Sequence, residues 1–409
     1  MMEYKILDSG VVSPKGFKAN GIHAGIRANK DRIDLSLIAS DVKAKASAVY
    51  TSNLVKGAPI YVTKANINDG FAQAIICNSG NANTCNSDGI EIATRTCEIL
   101  ANELNIKAND VIVASTGVIG LPLSIEPFEK GMKELVSGLG DTKEKNDLAV
   151  AGIMTTDTVK KDIAIEFEVD GKLCRIGAMT KGSGMIHPNL ATMLCFITTD
   201  CNISNLMLDK AIKDVVCDTF NMLSVDGDTS TNDTVAIMAN GLAGNKEIDS
   251  NDKNYAKFYD ALYYVCENLA KRMAKDGEGA TKLLICNVSG AKSKKDAKLV
   301  AKSVICSSLL KAAIFGSDAN WGRVLCAIGY SNADVDVEKV DVSFKSKAGV
   351  ILVCKNGSGV PFSEDEAKKI LLEDEIEVLV ELNSGKGESK AFGCDLTYDY
   401  VKINGDYRS

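Results

Sequence analysis

The chain reads as an α/β protein of layered, mixed β-sheets covered by helices, and three observations predict it. Short apolar runs ending in Gly, Ser or Asn clusters alternate with amphipathic helical stretches. The two kinds of element interleave without the strict β–α–β rhythm of a doubly wound sheet. No internal repeat and no low-complexity linker breaks the 409 residues into an array.

The elements follow in order. Residues 72–77 form a strand, and a Gly/Asn-rich loop over 78–87 leads to a helix capped by Asp88. Ile92, Thr96, Ile99 and Leu100 share one face of that helix. Residues 111–114 are a strand ending in Ser115-Thr116-Gly117, and 163–169 alternate apolar and charged side chains, as a strand with one solvated face does. The apolar run 193–199 is a buried strand. Ser204 caps a helix running through Phe220, and a longer helix over 254–275 stops near Gly277 and Gly279. A strand at 283–288 and a helix at 297–315 precede a strand-rich last third, over 340–353 and 376–403.

Composition excludes several classes. A net charge of -7 argues against a general nucleic-acid or anionic-membrane binder. The start, Met1-Met2-Glu3-Tyr4-Lys5, lacks the basic and apolar regions of a signal peptide, and no apolar stretch reaches spanning length, so a cytoplasmic protein is expected. The 13 cysteines are scattered, with Cys195 and Cys201 the closest pair. Cys77, Cys217, Cys266, Cys286, Cys306 and Cys326 lie in apolar runs, which suits reduced thiols and no metal. Only His23 and His187 are available as histidines, so a His-based triad or zinc site is disfavoured and any catalytic base must come from elsewhere. Neither a P-loop nor a dinucleotide-binding glycine pattern is present. No cofactor is expected.

Three segments carry candidate chemistry. In Lys181-Gly182-Ser183-Gly184-Met185-Ile186-His187-Pro188-Asn189-Leu190-Ala191-Thr192-Met193-Leu194, a turn-forming stretch runs into a Thr that opens a buried strand. A Thr hydroxyl needs a base beside it, and cutting the chain before the Thr supplies one as the freed α-amine. A plain turn before a strand, or a backbone nest for an anion at Gly182–Gly184, fits the same residues. Thr116-Gly117 at a strand tip offers a hydroxyl and an open backbone N–H, the two donors an oxyanion needs; an ordinary strand-to-turn junction is the alternative. In Asp276-Gly277-Glu278-Gly279-Ala280-Thr281-Lys282 a Glu sits between two Gly before a buried strand, suited to a substrate amine or to a surface turn.

These segments, with Met154-Thr155-Thr156-Asp157-Thr158, Ser224-Val225-Asp226-Gly227-Asp228-Thr229-Ser230-Thr231-Asn232-Asp233, Asp318-Ala319-Asn320-Trp321-Gly322-Arg323 and Asn404-Gly405-Asp406-Tyr407-Arg408-Ser409, resemble the ornithine acetyltransferase (glutamate N-acetyltransferase) family of arginine biosynthesis over nearly the whole chain. The resemblance implies two mixed sheets covered by helices, assembled from an α-chain (residues 1–191) and a β-chain (192–409) of one self-cleaved precursor, in an α2β2 heterotetramer. It implies cleavage between Ala191 and Thr192, Thr192 as nucleophile, and Thr116 with Gly117 as oxyanion hole. It assigns substrate contact to Thr158, Lys181, Thr192, Glu278, Asn404 and Ser409. The activity implied is ping-pong transfer of acetyl from N2-acetyl-L-ornithine to L-glutamate, with acetyl-CoA as a further donor left open. A self-cleaving amidase that passes the acyl group to water, and a non-catalytic amino-acid-binding protein, are the other classes the residues admit.

Overall fold

The interleaved pattern resolves into two mixed sheets, each with its own helices. The computed structural model describes residues 4–187 and 193–405. The chain divides into two units: Met1–Gly182, Asn189–Cys217 and Thr229–Leu269 make the first, and Ser183–Pro188, Asp218–Asp228 and Ala270–Ser409 the second.

The first unit holds β1 (Lys5–Leu7), β2 (Phe17–Ile22), β3 (Leu35–Tyr50), β4 (Phe71–Asn78), β5 (Val111–Ser115), β6 (Lys161–Val169), β7 (Lys172–Lys181), β8 (Leu194–Thr199) and β9 (Thr234–Ala239). Their order is β1-β6-β7-β8-β9-β3-β4-β5, with β2 pairing β3. Among these pairs β4/β5 and β8/β9 are parallel and the others antiparallel. The unit also carries α1 (Ala58–Asn66), α2 (Gly89–Leu104), α3 (Glu126–Ser137), α4 (Lys143–Ile153), α5 (Asn205–Asp218) and most of α6 (Lys253–Lys275).

Period-two alternation explains how this sheet is buried on both faces. Ile75 and Cys77 of β4, and Ile112 and Ala114 of β5, join a cluster with Ala149, Val150 and Ile153 of α4. Their neighbours Ala74, Ile76, Val111 and Val113 join another, with Leu100 of α2 and Phe128 and Leu135 of α3. Strands covered on both sides read as continuous apolar runs, which is why these two were visible in the sequence. All six residues of β8 are buried.

The second unit's sheet runs β13-β12-β11-β14-β10-β15, from β10 (Leu283–Ala291), β11 (Asp341–Ser346), β12 (Gly349–Lys355), β13 (Ser358–Gly359), β14 (Glu375–Glu381) and β15 (Gly387–Cys394). Here β10/β14 is parallel and the remaining pairs are antiparallel. The helices are α7 (Lys294–Cys306), α8 (Ser308–Phe315), α9 (Trp321–Gly329), α10 (Glu364–Leu371) and α11 (Tyr398–Gly405). Val300, Val304 and Ile305 of α7 pack with Leu284, Cys286 and Val378 in this unit's core.

The structure departs from the sequence reading at four places. The single helix expected over 297–315 is two, because Ser307 ends α7 and its side chain accepts the Leu310 N–H to start α8. The segment 376–403 is not strand throughout: it ends in α11, whose described residues are not buried. Asp88 stands at the α2 N-cap without a side-chain capping bond. The helix capped by Ser204, whose Oγ accepts the Met207 N–H at 3.3 Å, ends at Asp218, and a single 3-10 turn, Phe220–Met222, follows. No helix among the described residues is long and apolar enough to cross a membrane.

Phe196, at the middle of β8 and fully buried, tests this packing. Phe196→Ala should cost about 3–5 kcal/mol of unfolding free energy in urea, through lost burial and the cavity left behind. A loss under about 1 kcal/mol would show that β8 does not lie at the centre of its core.

Candidate active site

The parallel pair β4/β5 brings two loop starts together. Asn78, the last residue of β4, accepts the Ser115 hydroxyl at 2.6 Å and, through its carbonyl, the Thr116 N–H at 3.0 Å. Its own amide donates to the Asn81 carbonyl at 2.9 Å. Gly117 then adopts φ +134, in the region that disfavours a side chain, and a Cβ there would run into the Gly80 carbonyl and the Asn81 nitrogen. Glycine is required by this close approach, and the Gly117 N–H has no partner among the described residues. The strand tip therefore presents an open backbone donor beside a half-buried Thr116.

Lys181 completes the tip from the end of β7. Its ammonium donates to Thr116 Oγ1 at 3.3 Å. Because that bond uses a lone pair of the hydroxyl, the Thr116 proton stays available to a second acceptor. Opposite Lys181 in the antiparallel register is Leu194, two residues after Thr192 in the chain. A hydroxyl polarised by a cation, next to an open N–H, is equipment for stabilising negative charge on a carbonyl oxygen.

Asp157 organises the surroundings, and the sequence reading did not single it out. Its Oδ1 accepts the Lys161 ammonium at 2.6 Å, with both side chains fully buried, and the Gly182 N–H at 2.7 Å. Its Oδ2 accepts the Thr155 N–H at 3.0 Å, which tethers the loop bearing Thr158, itself exposed. Burial alone would raise this carboxyl; the charges of Lys181 and Lys161 and the hydrogen bonds outweigh it and bring its pKa down to about 2. Asn232 was likewise missed: its amide donates to the Ala82 carbonyl at 2.5 Å and the Ser115 carbonyl at 2.9 Å, clamping the β5 tip to the loop after β4. Both act through contacts between distant segments, which no local pattern announces.

In the second unit the structure brings Glu278 and Asn404 together. Glu278 is buried, its N–H donates to the Ser183 carbonyl at 2.9 Å, and the Asn404 amide donates to its Oε2 at 2.8 Å. The two flanking backbones are pinned. A Cβ on Gly184 would meet the Glu278 carboxylate, and one on Gly279, at φ +68, would meet the backbone of Asp399 and Tyr400. Asp276-Gly277-Glu278-Gly279 is thus a buried turn under α11, not a solvated one. His187, the alternative base, lies 3.0 Å from Ser224 Oγ and 3.6 Å from Cys306 Sγ, and burial lowers its pKa to about 4. Ala191, Thr192 and Ser409, named from the sequence, lie outside the described residues. No group of three His, Cys, Asp or Glu among the described residues is placed to hold a metal ion.

A mixed α/β scaffold with a donor-lined strand tip has the outfit of an acyl-transfer enzyme. The comparisons with known proteins give the family. The ArgJ family model matches residues 18–409. An arginine biosynthesis bifunctional protein ArgJ from Caldanaerobacter subterraneus is 50% identical over 406 residues, covering 99% of this chain and 100% of its own. One from Clostridium acetobutylicum, named ArgJ 1, is 51% identical over 394 residues, 96% of each chain. A crystal structure of the same-named protein from Bacillus halodurans matches at 48% identity and TM-score 0.49, covering 51% of this chain and 97% of that one. The chain belongs to the ArgJ family and is an enzyme of arginine biosynthesis.

Asp157→Asn should destabilise the protein by about 3–5 kcal/mol at pH 7, because Lys161 is left buried without its carboxylate. The folded pKa of about 2 lies below the 3.8 of a free Asp, so its stabilisation is present above pH 3.8 and is lost as pH falls toward 2. Roughly 2 kcal/mol of the difference between wild type and variant should therefore vanish across that window in acid-unfolding titrations. A gap independent of pH there would rule out an ionised Asp157.

Proposed function

We propose that this enzyme is the glutamate N-acetyltransferase of arginine biosynthesis, moving acetyl from N2-acetyl-L-ornithine to L-glutamate through an acetyl-enzyme on Thr192. The observation that carries this reading is the Lys181 register. Lys181 touches Thr116 at 3.3 Å and pairs with Leu194, two residues after Thr192 in the chain, which supports reading Thr116 and Gly117 as the donors that serve this nucleophile.

The chemistry proceeds in two stages. In the precursor the Thr192 oxygen adds to the Ala191 carbonyl, the C–N bond breaks, and the nitrogen takes the proton as an ester forms. Water then cleaves the ester, leaving residues 1–191 with a carboxylate and residues 192–409 with a free α-amine and hydroxyl. In the mature enzyme that amine, with a reference pKa of about 7.7–8.0, accepts the Thr192 proton as the oxygen attacks the acetyl carbonyl. Thr116 Oγ1–H and the Gly117 N–H hold the oxyanion, and ornithine leaves carrying the proton on its amine. Glutamate reverses the steps and departs as N-acetylglutamate. One α-amino-acid head is common to both substrates, so one set of contacts serves both halves. Lys181 suits the α-carboxylate; Glu278, aided by Asn404, suits the ornithine ammonium; Thr158 and Ser409 complete the contacts. The relatives' designation as bifunctional supports acetyl-CoA as a second donor. An α2β2 heterotetramer in the cytoplasm completes the proposal.

Mass spectrometry of the purified protein should find two fragments meeting between Ala191 and Thr192, and Thr192→Ala should stay whole. A smaller fragment starting anywhere else would sink the nucleophile assignment. Thr116→Val keeps the shape and removes the hydroxyl donor, so kcat should fall by about 100- to 1,000-fold with stability nearly unchanged. Turnover within about twofold of wild type would remove Thr116 from the oxyanion hole. Acetyl release that proceeds equally without glutamate would make the enzyme a hydrolase instead.

A further inference from the structure

Two oxyanion donors serve one oxygen only if both hydrogens point at the same place. The peptide that carries Thr116 is fixed from both edges. Its N–H donates to the Asn78 carbonyl at 3.0 Å, and its oxygen, the Ser115 carbonyl, accepts the Asn232 amide at 2.9 Å. On the other side of Gly117, the Val118 N–H donates to the Gly80 carbonyl at 3.3 Å. Asn232 also donates to the Ala82 carbonyl at 2.5 Å, so one side chain spans the β5 tip and the loop after β4. Its Oδ1 accepts the Thr84 and Thr231 hydroxyls, each at 2.6 Å. Carbonyls can only accept, so the nitrogen must face Ser115 and Ala82, and the oxygen the two threonines. Asn232 is 6% exposed, and a Cβ on Gly57 would run into its amide.

We propose that Asn232 is the positioning residue of the oxyanion hole, holding the Ser115–Thr116 peptide so that Thr116 Oγ1 and the Gly117 N–H converge. This rests on the reading of Thr116 and Gly117 as the oxyanion donors. An asparagine side chain offers two donor hydrogens and two acceptor lone pairs, and Asn232 engages all four, which leaves nothing for a substrate. It acts through the strand tip. Rotation of the 115–116 peptide would turn both donors together, because the hydroxyl and the next N–H each follow the backbone of Thr116. A carboxylate of the same shape would set an oxygen against two carbonyls, so the role needs an amide.

The test uses the full chain and follows kcat, KM and melting temperature together. Asn232→Ala should lower kcat by about 10- to 100-fold, the scale of a small misplacement of catalytic groups. KM for acetylornithine should stay within about threefold, because both half-reactions use the same donors and slow together. In the Thr116→Val background the same substitution should cost at least about threefold less, since one of the two donors it aims is already gone. Asn245 is the structural comparison: 4% exposed, it ties the Asn202 N–H and carbonyl beyond the far end of β8. Asn245→Ala should lower the melting temperature while kcat holds within about twofold. Four results would overturn the role: Asn232→Ala turning over as wild type, raising KM with kcat spared, costing the same factor in both backgrounds, or being matched in kcat by Asn245→Ala. If Asn232→Ala does not fold, Thr84→Val decides, because it frees one side of the Asn232 carbonyl. A kcat loss of about threefold or more then supports the role, and a smaller one refutes it. Thr116→Val itself keeping near-wild-type turnover would instead bring down the oxyanion reading, independently of Asn232.

Discussion

The Asp157 carboxylate is the constraint on which the first unit's site depends. It is buried, and it stays ionised because two lysines and two backbone N–H groups converge on it. Through those bonds one carboxylate ties the Thr155–Thr158 loop to Gly182 and so fixes where Lys181 leaves β7. Lys161 is spent on this junction, buried against Asp157. Lys181, half-buried, spends its hydrogen bond on Thr116 and keeps its charge toward the strand tip. A surface ion pair could not do this, because solvent would let both loops move.

The scarcity of histidine shapes the chemistry as strongly. His23 is taken up by Asp34 and the Arg32 carbonyl. His187 is held neutral beside Ser224 and Cys306. The proposed mechanism therefore draws its base from the α-amine of Thr192 and not from an imidazole. Asn232 clamps the β5 tip to the loop after β4 through the Ser115 and Ala82 carbonyls.

How much of this could be read from the sequence follows from whether the cause is local. The strands at β4, β5, β8 and β10 were legible because burial on both faces leaves uninterrupted apolar runs. Thr116-Gly117 was legible because an apolar run that stops at Thr-Gly must turn, and φ +134 at Gly117 is that turn. The break at Ser307 was hidden because a single Ser inside an apolar stretch looks like a tolerated polar residue until its Oγ meets the Leu310 N–H. The tail was taken for strand because Tyr398, Val401 and Ile403 are apolar, yet all three are solvent-facing on α11. Asp157 and Asn232 were invisible as functional residues, since each acts by joining segments far apart in the chain. The resemblance named Thr158, Lys181, Glu278 and Asn404; the structure adds what holds each in place.

The most direct measurement is to mix mature enzyme with acetylornithine in the absence of glutamate and map any acetyl group by mass spectrometry. The expected result is one acetyl group on the Thr192 hydroxyl, lost when glutamate is added with N-acetylglutamate appearing in equal amount. Acetyl exchange that proceeds with Thr192 never modified, or with the acetyl group carried on another residue, would contradict a ping-pong mechanism through Thr192.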